Sequence, residues 1–242
     1  MPTVWLDPAL VDFPPLESAD EKGLLAVGGN LSPPWLLKAY RNGIFPWYEE
    51  GWQILWWSPD PRLVIFPHKL HISKSFRKQL RKHPYRLYIN RDFASVISHC
   101  AHRKDHSTGT WITRDMAAAY TQLHKLGYAH CVEVRKNGQL VGGLYGVALG
   151  KVFFGESMFS LEPGTSKIAL AVLVSQLCDW NFQVVDCQVC SDHLLSLGAE
   201  KISRSKFVDM VAGATLDDQG VAWPQNQEVT GQELNLIVRI NQ

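Results

Sequence analysis

Runs of apolar residues punctuated by glycine, typical of β-strands, fill the chain between residues 129 and 160. The first run covers residues 129–135 and leads into Asn137-Gly138, a pair that favours a tight two-residue hairpin. Two further runs follow, with Gly150 between them as a second turn. We therefore predict three consecutive strands joined by two hairpins.

Capping residues at positions 32, 73, 92, 113 and 166 mark the starts of five predicted helices. These helices extend to about residues 42, 83, 101, 127 and 181, and two more are predicted at 193–197 and 204–214. Further strands are predicted at 63–66 and 184–189. This mixed order of helices and hairpin-linked strands is α+β, close to an acetyltransferase-like layout.

Glu156 lies in the most distinctive stretch of the chain, GGLYGVALGKVFFGESMFS at residues 142–160. The glycines there keep the backbone bare where another group comes close. Glu156 itself falls between Phe154 and Met158, and a carboxylate in apolar surroundings needs a partner. Either a cationic ligand supplies that partner, or the side chain caps a neighbouring backbone amide in a well-packed hairpin.

Asp186 and Gln188 form a second polar feature, in the apolar run VVDCQV at 184–189. Strict alternation predicts both side chains on one face of a strand and Cys187 on the other. Two polar side chains on one face of such a strand are costly unless they bond each other or take part in chemistry. Asp186 and Gln188 are therefore candidate site residues.

Tryptophan is concentrated at the start of the chain, with six of the nine at positions 5, 35, 47, 52, 56 and 57. This asymmetry predicts a small, Trp-rich N-terminal domain at residues 1–61. A larger domain is predicted at 62–215. Residues 216–242 are rich in Gln and Asn, and we expect them to form a loosely attached tail.

The composition excludes several classes of protein. Five cysteines without a leading apolar signal segment argue against a disulfide framework and for a reducing, cytoplasmic environment. The most apolar helical stretch, residues 168–180, is interrupted by Ser175 and Gln176 and is too short to span a bilayer. The net charge is +1, so the chain as a whole is no polyelectrolyte. We expect a cytoplasmic protein with no membrane segment.

The segment from Lys69 to Arg91 carries a local positive charge. It contains eight Lys or Arg residues, and no acidic residue occurs between Asp60 and Asp92. In the helix predicted after Ser73, apolar residues share one side and four cations share the other: Lys74, Lys78, Arg81 and Lys82. A solvated helix face normally mixes both signs, so this one indicates contact with the phosphates of a nucleic acid.

Histidines and cysteines gather at two places. The first group is His99, Cys100, His102 and His106, and the second is the pair Cys187-x-x-Cys190. Neither group has a second cluster at the spacing of a zinc site. We expect no metal site.

Several motifs, in order along residues 23–199, resemble the leucyl/phenylalanyl-tRNA-protein transferase family: GLLAVGGNLSPPWLLKAYRNGIFPWY, ILWWSPDPR, LHISKSFRK, GTWITRDM, VGGLYGVALGKVFFGESMFS, DCQ and DHLLSLGA. The resemblance implies a small N-terminal domain before an acetyltransferase-like domain that acts without coenzyme A, metal or nucleotide cofactor. It also implies transfer of Leu or Phe, with Met as a further candidate, from aminoacyl-tRNA to proteins that begin with Arg or Lys. The added residue marks those proteins for degradation by the N-degron pathway.

The resemblance also assigns roles to individual residues. The cations Lys74, Lys78, Arg81 and Lys82 correspond to positions that hold the tRNA. The pocket for the aminoacyl side chain and terminal adenine corresponds to Tyr40, Trp47, Trp111, Leu144, Phe153 and Met158. Beyond these roles, we hypothesise that Glu156 and Asp186 recognise the peptide N-terminus and that Asp186 and Gln188 are catalytic. Two positions depart from the family pattern, which has Met where this chain has Leu144 and Asn where it has Ser191.

The chemistry implied is aminolysis of an ester by the α-amine of the recipient protein. Asp186, acting through Gln188, either takes the proton of the amine or only holds the amine in line, and the ribose 2′-hydroxyl is a third candidate for the proton relay. An acetyl-coenzyme A enzyme is disfavoured because residues 161–166, LEPGTS, do not match a pyrophosphate-binding loop. A non-catalytic RNA-binding module leaves Glu156 and Asp186 without a role.

Overall fold

The computed structural model describes residues 4–82, 84–102, 112–216 and 221–229, without the side chains of residues 81 and 82. The strands in these ranges are β1 (Val4–Leu6), β2 (Leu24–Gly28), β3 (Phe45–Pro46), β4 (Leu55–Trp57), β5 (Arg62–Ile65), β6 (Arg86–Ile89), β7 (Ala129–Lys136), β8 (Gln139–Leu149), β9 (Val152–Ser160), β10 (Val184–Gln188), β11 (Glu200–Ile202) and β12 (Gln227–Val229). The helices are α1 (Pro33–Arg41), α2 (Lys74–Lys82), α3 (Phe93–Ala101), α4 (Arg114–Lys125), α5 (Thr165–Asp179), α6 (Asp192–Leu195) and α7 (Arg204–Ala214).

The larger sheet has eight strands in the order β11-β5-β10-β9-β8-β7-β6-β12. Its centre is the predicted run of two hairpins, β7-β8-β9, which turns at Asn137-Gly138 and at Gly150. All neighbours are antiparallel except β9 and β10, which run parallel. The predicted α+β class with a mixed sheet is therefore confirmed.

A second sheet of four strands, β1-β2-β4-β3, forms the N-terminal unit together with α1. Trp35 and Trp56 stack inside it with ring centroids 6.0 Å apart, and Phe13 packs edge-on against both. This aromatic core continues without a break into the core beneath α3 and α4. The predicted boundary at residue 61 falls between the two sheets, and the independence of the two units stays a prediction.

The two faces of the larger sheet carry separate cores. Successive residues such as Phe153 and Phe154 alternate between them, as the period of a strand requires. One core lies under α2 and α5, and the other is shared by α3, α4, α7 and the N-terminal unit. Among the described helices, including the 15-residue α5, none combines the length and apolar character needed to cross a membrane.

Helix α5 begins differently from the prediction. Gly164, with φ of 80°, is its N-terminal cap, and the helix begins at Thr165. Ser166, the predicted cap, lies inside the first turn, where its backbone N–H and its hydroxyl both contact the Ser160 hydroxyl at 2.9 Å. The glycine takes the cap position because it enters the left-handed region without a steric penalty.

The expectation of a loose C-terminal tail is wrong for residues 221–229. Strand β12 pairs with β6 at the edge of the larger sheet, and Trp223 stacks on His130 with centroids 4.0 Å apart and planes 5° apart. Asn90 reinforces this edge by donating to the Pro224 carbonyl at 3.0 Å. The Gln- and Asn-rich composition gave no indication of this short strand, which one aromatic ring holds against the sheet.

We expect Trp223→Ala to lower the free energy of unfolding by about 2 kcal/mol, because a half-buried ring loses its packing against His130, Phe153 and Trp180. Urea unfolding followed by circular dichroism measures the change. The matched control is Trp52→Ala, whose ring is 69% exposed and whose loss should cost no more than about 0.5 kcal/mol. Equal effects of the two substitutions would contradict the docking of residues 221–229.

Candidate active site

A cavity of 420 Å³ opens where β9 and β10 part from each other. Their parallel pairing covers only three residue pairs and ends at Asp186 and Phe154. Beyond that point β9 continues to Ser160 in contact with β8. The apolar part of the cavity wall includes Phe45, Leu144, Phe153, Met158, Leu170 and Leu173, and the polar part includes Glu156, Asp186, Gln188 and Ser191.

Both strands bulge at this opening. In β9, Tyr145 pairs with Ser157 and Gly146 with Gly155, so Glu156 is the extra residue. A Cβ at Gly146 would collide with the carbonyl oxygen of Phe154, so the predicted need for bare backbone is confirmed at this glycine. A bulge redirects a side chain that a regular strand would place elsewhere. Glu156 thereby reaches the cavity.

The second bulge is in β10. Asp186 pairs with Val64 and Gln188 with Leu63, which leaves Cys187 as the extra residue. Gln188 takes φ of 57°, which is unusual for a residue other than glycine. The strict alternation predicted for this strand is therefore wrong: Asp186, Cys187 and Gln188 all contribute to the cavity wall.

The Glu156 carboxyl group is held by two tyrosine hydroxyls. Tyr40 donates to its Oε1 and Tyr120 donates to its Oε2, each at 2.7 Å, and the two hydroxyls lie 2.5 Å from each other. Burial raises the pKa of Glu156 to about 7; the two hydroxyl bonds oppose this rise and the Asp186 carboxylate adds to it. Among the described residues these two hydroxyls are the hydrogen-bond donors to the carboxyl group and no backbone amide donates to it, so the alternative that Glu156 caps a backbone amide is wrong.

The Asp186 carboxylate forms a two-point ion pair with Arg62. Arg62 Nε donates to Oδ1 at 2.8 Å and Nη2 donates to Oδ2 at 2.7 Å, and both side chains are completely buried. The guanidinium lies between the rings of Phe45 and Phe207, 4.8 and 4.6 Å from their centroids. The backbone N–H of Gln188 also donates to Oδ1 at 3.0 Å. Asp186 therefore accepts three hydrogen bonds.

Sequence reasoning missed Arg62 and Tyr120. Arg62 is the first residue of a four-residue strand that is buried throughout. A cation at the head of an apolar strand is a signal of a buried carboxylate partner, since Arg is rarely buried unless it is paired. Tyr120 had no such signal, because a tyrosine on an amphipathic helix is ordinarily a core residue.

The predicted pocket residues fall into three groups. Trp47, Leu144, Phe153 and Met158 border the cavity, with Trp47 partly exposed. Tyr40 differs from the prediction, because it is completely buried and supports Glu156 instead of bordering the cavity. Trp111 lies outside the described residues. The two departures from the family pattern, Leu144 and Ser191, both border the cavity.

Helix α2 presents the predicted cations to solvent. Ser73 accepts a hydrogen bond from the backbone N–H of Phe76 at 3.2 Å, as a capping residue should. Phe76 and Leu80 are buried, whereas Lys74 and Lys78 are exposed. Arg81 and Lys82 belong to the same helix. Helix α2 shares its core with α5 and with Leu144, so it lies on the same face of the sheet as the apolar wall.

The histidines considered for metal binding have other partners. His99 and His102 each contact a backbone carbonyl one helical turn earlier at 2.8 Å, and His99 stacks on Phe159. His106 lies outside the described residues. Within the described ranges, no three His, Cys, Asp or Glu side chains are grouped so as to hold a metal ion.

Comparison with known proteins identifies the chain as an aminoacyltransferase. The family model for the leucyl/phenylalanyl-tRNA protein transferase matches residues 64–212, and the model for its N-terminal domain matches residues 29–60. The chain belongs to the leucyl/phenylalanyl-tRNA protein transferase family.

Relatives of the same name are similar over most of the chain. The leucyl/phenylalanyl-tRNA–protein transferase of Pseudomonas putida (strain W619) is 52% identical over 221 residues, which is 90% of this chain and 98% of the relative. That of Pseudomonas fluorescens is 55% identical over 207 residues, covering 85% and 92%. That of Cellvibrio japonicus is 52% identical over 213 residues, covering 87% and 91%.

Similarity to solved structures is weaker. A GCN5-related N-acetyltransferase from Kribbella flavida superposes with a TM-score of 0.39 at 12% identity, covering 71% of this chain and 61% of that one. The structure of L-PGS from Bacillus licheniformis gives a TM-score of 0.40 at 10% identity, covering 73% and 57%.

We expect Arg62→Met and Asp186→Leu each to destabilise the protein by about 3 to 5 kcal/mol, because each leaves one buried charge without its partner. The double variant should cost much less than the sum, since it leaves no unpaired charge. Chemical denaturation of all four proteins gives the coupling free energy.

A matched control for this cycle is the exposed pair Lys69 and Glu200, whose side chains are 48% and 43% exposed. Lys69→Met should change the free energy of unfolding by no more than about 1 kcal/mol. Additive effects of the Arg62 and Asp186 substitutions would contradict the ion pair.

Proposed function

We propose that this protein transfers Leu or Phe, with Met as a further candidate, from aminoacyl-tRNA to the N-terminal α-amine of proteins that begin with Arg or Lys. The observation that carries the proposal is a single cavity in which an apolar wall meets two carboxyl groups, Glu156 and Asp186. The added residue marks the recipient for degradation by the N-degron pathway. A reaction that uses aminoacyl-tRNA takes place in the cytoplasm, where we expect the protein to act.

The apolar wall suits the side chain of the transferred residue and the terminal adenine of the tRNA. Leu144, Phe153 and Met158 offer surface that is apolar and without charge, and a volume of 420 Å³ is in the range of small-ligand sites. The binding free energies of similar apolar side chains in such a pocket differ by only about 1 to 3 kcal/mol, which accounts for acceptance of both Leu and Phe. Trp47 and Trp111 complete the proposed pocket.

The two carboxyl groups suit a recipient whose first side chain is cationic. Asp186 is neutralised in part by Arg62, so its pair contributes little net charge. Neither oxygen of Glu156 contacts a cation in the part of the chain that the structure describes. Glu156 therefore supplies most of the uncompensated negative charge, and a bound Arg or Lys side chain restores the balance.

The tRNA binds on α2 in this proposal. The cations of α2 have no acidic residue near them along the chain, as expected for a surface that contacts phosphates. Helix α2 and most of the apolar wall, all but Phe45, belong to one face of the sheet. A tRNA lying on α2 therefore presents its 3′ end on the side where the cavity opens.

The reaction requires positioning more than strong activation, because an aminoacyl ester is already reactive. Holding the amine against the ester carbonyl supplies a large effective molarity. Asp186 and Gln188 lie at the end of β10, where they can hold the amine in line with that carbonyl. The three hydrogen bonds on Asp186 favour this positioning role over proton transfer.

We expect radiolabelled Leu to pass from Leu-tRNA to a peptide that begins with Arg, with no other cofactor added. A peptide identical except for an N-terminal Ala should remain unlabelled, because it offers no cation to Glu156. Scintillation counting of the purified peptides measures the transfer. Equal labelling of both peptides would contradict the acceptor rule, and labelling of neither would contradict the reaction.

We expect replacement of both Lys74 and Lys78 by Ala to weaken the binding of Leu-tRNA and of Phe-tRNA to the same extent. Each lost phosphate contact should also reduce the slope of log affinity against log salt by about 1. Filter binding at several salt concentrations measures both quantities. The control is Lys206→Ala on α7, an exposed lysine on the opposite face of the sheet; an equal loss there would contradict a binding surface on α2.

A further inference from the structure

The terminal nucleotide of an aminoacyl-tRNA carries two groups that the site has to hold at once. Its ribose bears the aminoacyl ester on the 2′- or 3′-oxygen and a phosphate on the 5′-oxygen. In the proposed function the ester lies in the cavity, so that phosphate lies one ribose away, at the opening. Because carboxyl groups also border the cavity, the phosphate needs a cation nearby.

The cavity wall does not supply that cation. Among the described residues that border the cavity, none is Lys or Arg, and the basic side chain there belongs to His193. Burial lowers the pKa of His193 below its ordinary value, and the nearby charge of Lys167 lowers it further, so the imidazole is mainly neutral at pH 7. The cation therefore has to come from a neighbouring element.

Lys167 lies beside this opening. It belongs to the first turn of α5, three residues before Leu170, which borders the cavity together with Leu173. Residues three apart on a helix are neighbours on one side of it, and three residues advance the axis by about 4.5 Å. The effect of Lys167 on the pKa of His193 indicates the same position. Lys167 is therefore about one helical turn from the apolar wall.

The start of α5 also lies against the proposed tRNA surface. The side-chain amide of Gln79, one residue after Lys78 on α2, donates to the carbonyl of Pro163 at 3.3 Å. Pro163 immediately precedes Gly164, the cap of α5. A tRNA that lies on α2 and places its 3′ end in the cavity therefore crosses the first turn of α5, and Lys167 lies on that path.

The Lys167 ammonium group is free to bind such a phosphate. Lys167 is half-buried, and no carboxylate of the described residues lies within ion-pair distance of it. Glu162, the preceding acidic residue in the chain, is already bonded by Lys136 at 3.0 Å. The backbone N–H groups of Thr165 and Ser166 donate within the chain at 3.3 and 2.9 Å. The contact with a phosphate therefore falls to the lysine side chain.

We propose that the ammonium group of Lys167 binds the phosphate on the 5′-oxygen of the terminal adenosine of the aminoacyl-tRNA. This inference rests on the proposed function. Lys167 holds the phosphate while the apolar wall holds the aminoacyl side chain, so the ester between them is fixed at two points. The contact is electrostatic, and no covalent bond forms or breaks in it. Its effect is to present the ester carbonyl to the amine in one position.

Two short leucyl donors isolate this phosphate. Leucyl-adenosine lacks it, whereas the leucyl ester of the dinucleotide cytidylyl-adenosine carries it between the two nucleosides. The kcat/KM for transfer to an Arg-peptide is measured with each donor. We expect Lys167→Met to lower kcat/KM about tenfold with the dinucleotide, as for the loss of one hydrogen bond to a charged group. With leucyl-adenosine the change should be no more than about two-fold, because that donor offers Lys167 no phosphate.

Two further variants complete the test. Lys167→Arg keeps the charge and should retain most of the preference for the dinucleotide. The control is Lys206→Met, which removes an exposed lysine of α7 on the opposite face of the sheet. It should leave kcat/KM for both donors within about two-fold of the wild type. Where a short donor reacts too slowly to measure, its inhibition constant against Leu-tRNA gives the same comparison.

The contrary outcomes are distinct. An equal loss with both short donors in Lys167→Met would mean that Lys167 only supports the shape of the site, and a loss with Leu-tRNA alone would mean that it contacts another part of the tRNA; either result would overturn the proposal. If Lys167→Met does not fold, equal use of the dinucleotide and its uncharged methylphosphonate form by the wild type overturns it. Failure of the wild type to label the Arg-peptide from Leu-tRNA would instead count against the proposed function.

Discussion

The buried ion pair of Arg62 and Asp186 is the interaction on which the site depends. It joins β5 to β10 at the point where β10 leaves β9, and it is covered on one side by Phe45 of the N-terminal unit and on the other by Phe207 of α7. A buried pair of this kind adds little net stability compared with apolar residues, but each member requires the other. The pair therefore fixes the position of Asp186 more than it strengthens the fold.

The N-terminal unit also contributes directly to the candidate site. Helix α1 supplies Tyr40, one of the two hydroxyls that hold Glu156, and the following strand supplies Phe45 against Arg62. Trp47 then borders the cavity. Both carboxyl groups thus rely on a contact from the first 61 residues, and the continuous core between the two sheets gives those contacts their rigidity.

Much of this arrangement could be predicted from the sequence, because the signals were local. The Asn137-Gly138 turn, the cap at Asp92 and the glycines before Glu156 each act over a few residues, and the hairpins and helices follow them. Glu156 and Asp186 were recognisable because a carboxylate in an apolar strand is costly. Tyr120 was not, because it has no such signal and lies 36 residues from Glu156. Arg62 had the signal of a cation at the head of an apolar strand, but nothing linked it to Asp186, which lies 124 residues away along the chain.

Other features escaped prediction for a different physical reason. A bulge adds one residue to one strand only, so it is defined by the register between two strands and leaves no mark in either strand alone. The extra residues Glu156 and Cys187 became visible only from the pairing of β8 with β9 and of β5 with β10. The strand at 227–229 could not be predicted from its own residues either, because it is stabilised by pairing with β6 and by the stacking of Trp223 on His130.

The bulge at Glu156 also connects the two cores of the protein. Leu144 belongs to the core under α5, whereas Tyr145, Tyr40 and Tyr120 belong to the core shared with the N-terminal unit. A residue in a regular strand faces only one of these cores. Because Glu156 is the extra residue, its carboxyl group bonds the tyrosines of one core while the residue still lines the cavity, whose apolar wall belongs mostly to the other core. The apolar wall and the carboxyl group can then meet at one opening, because the departure from regular pairing falls where β9 and β10 separate.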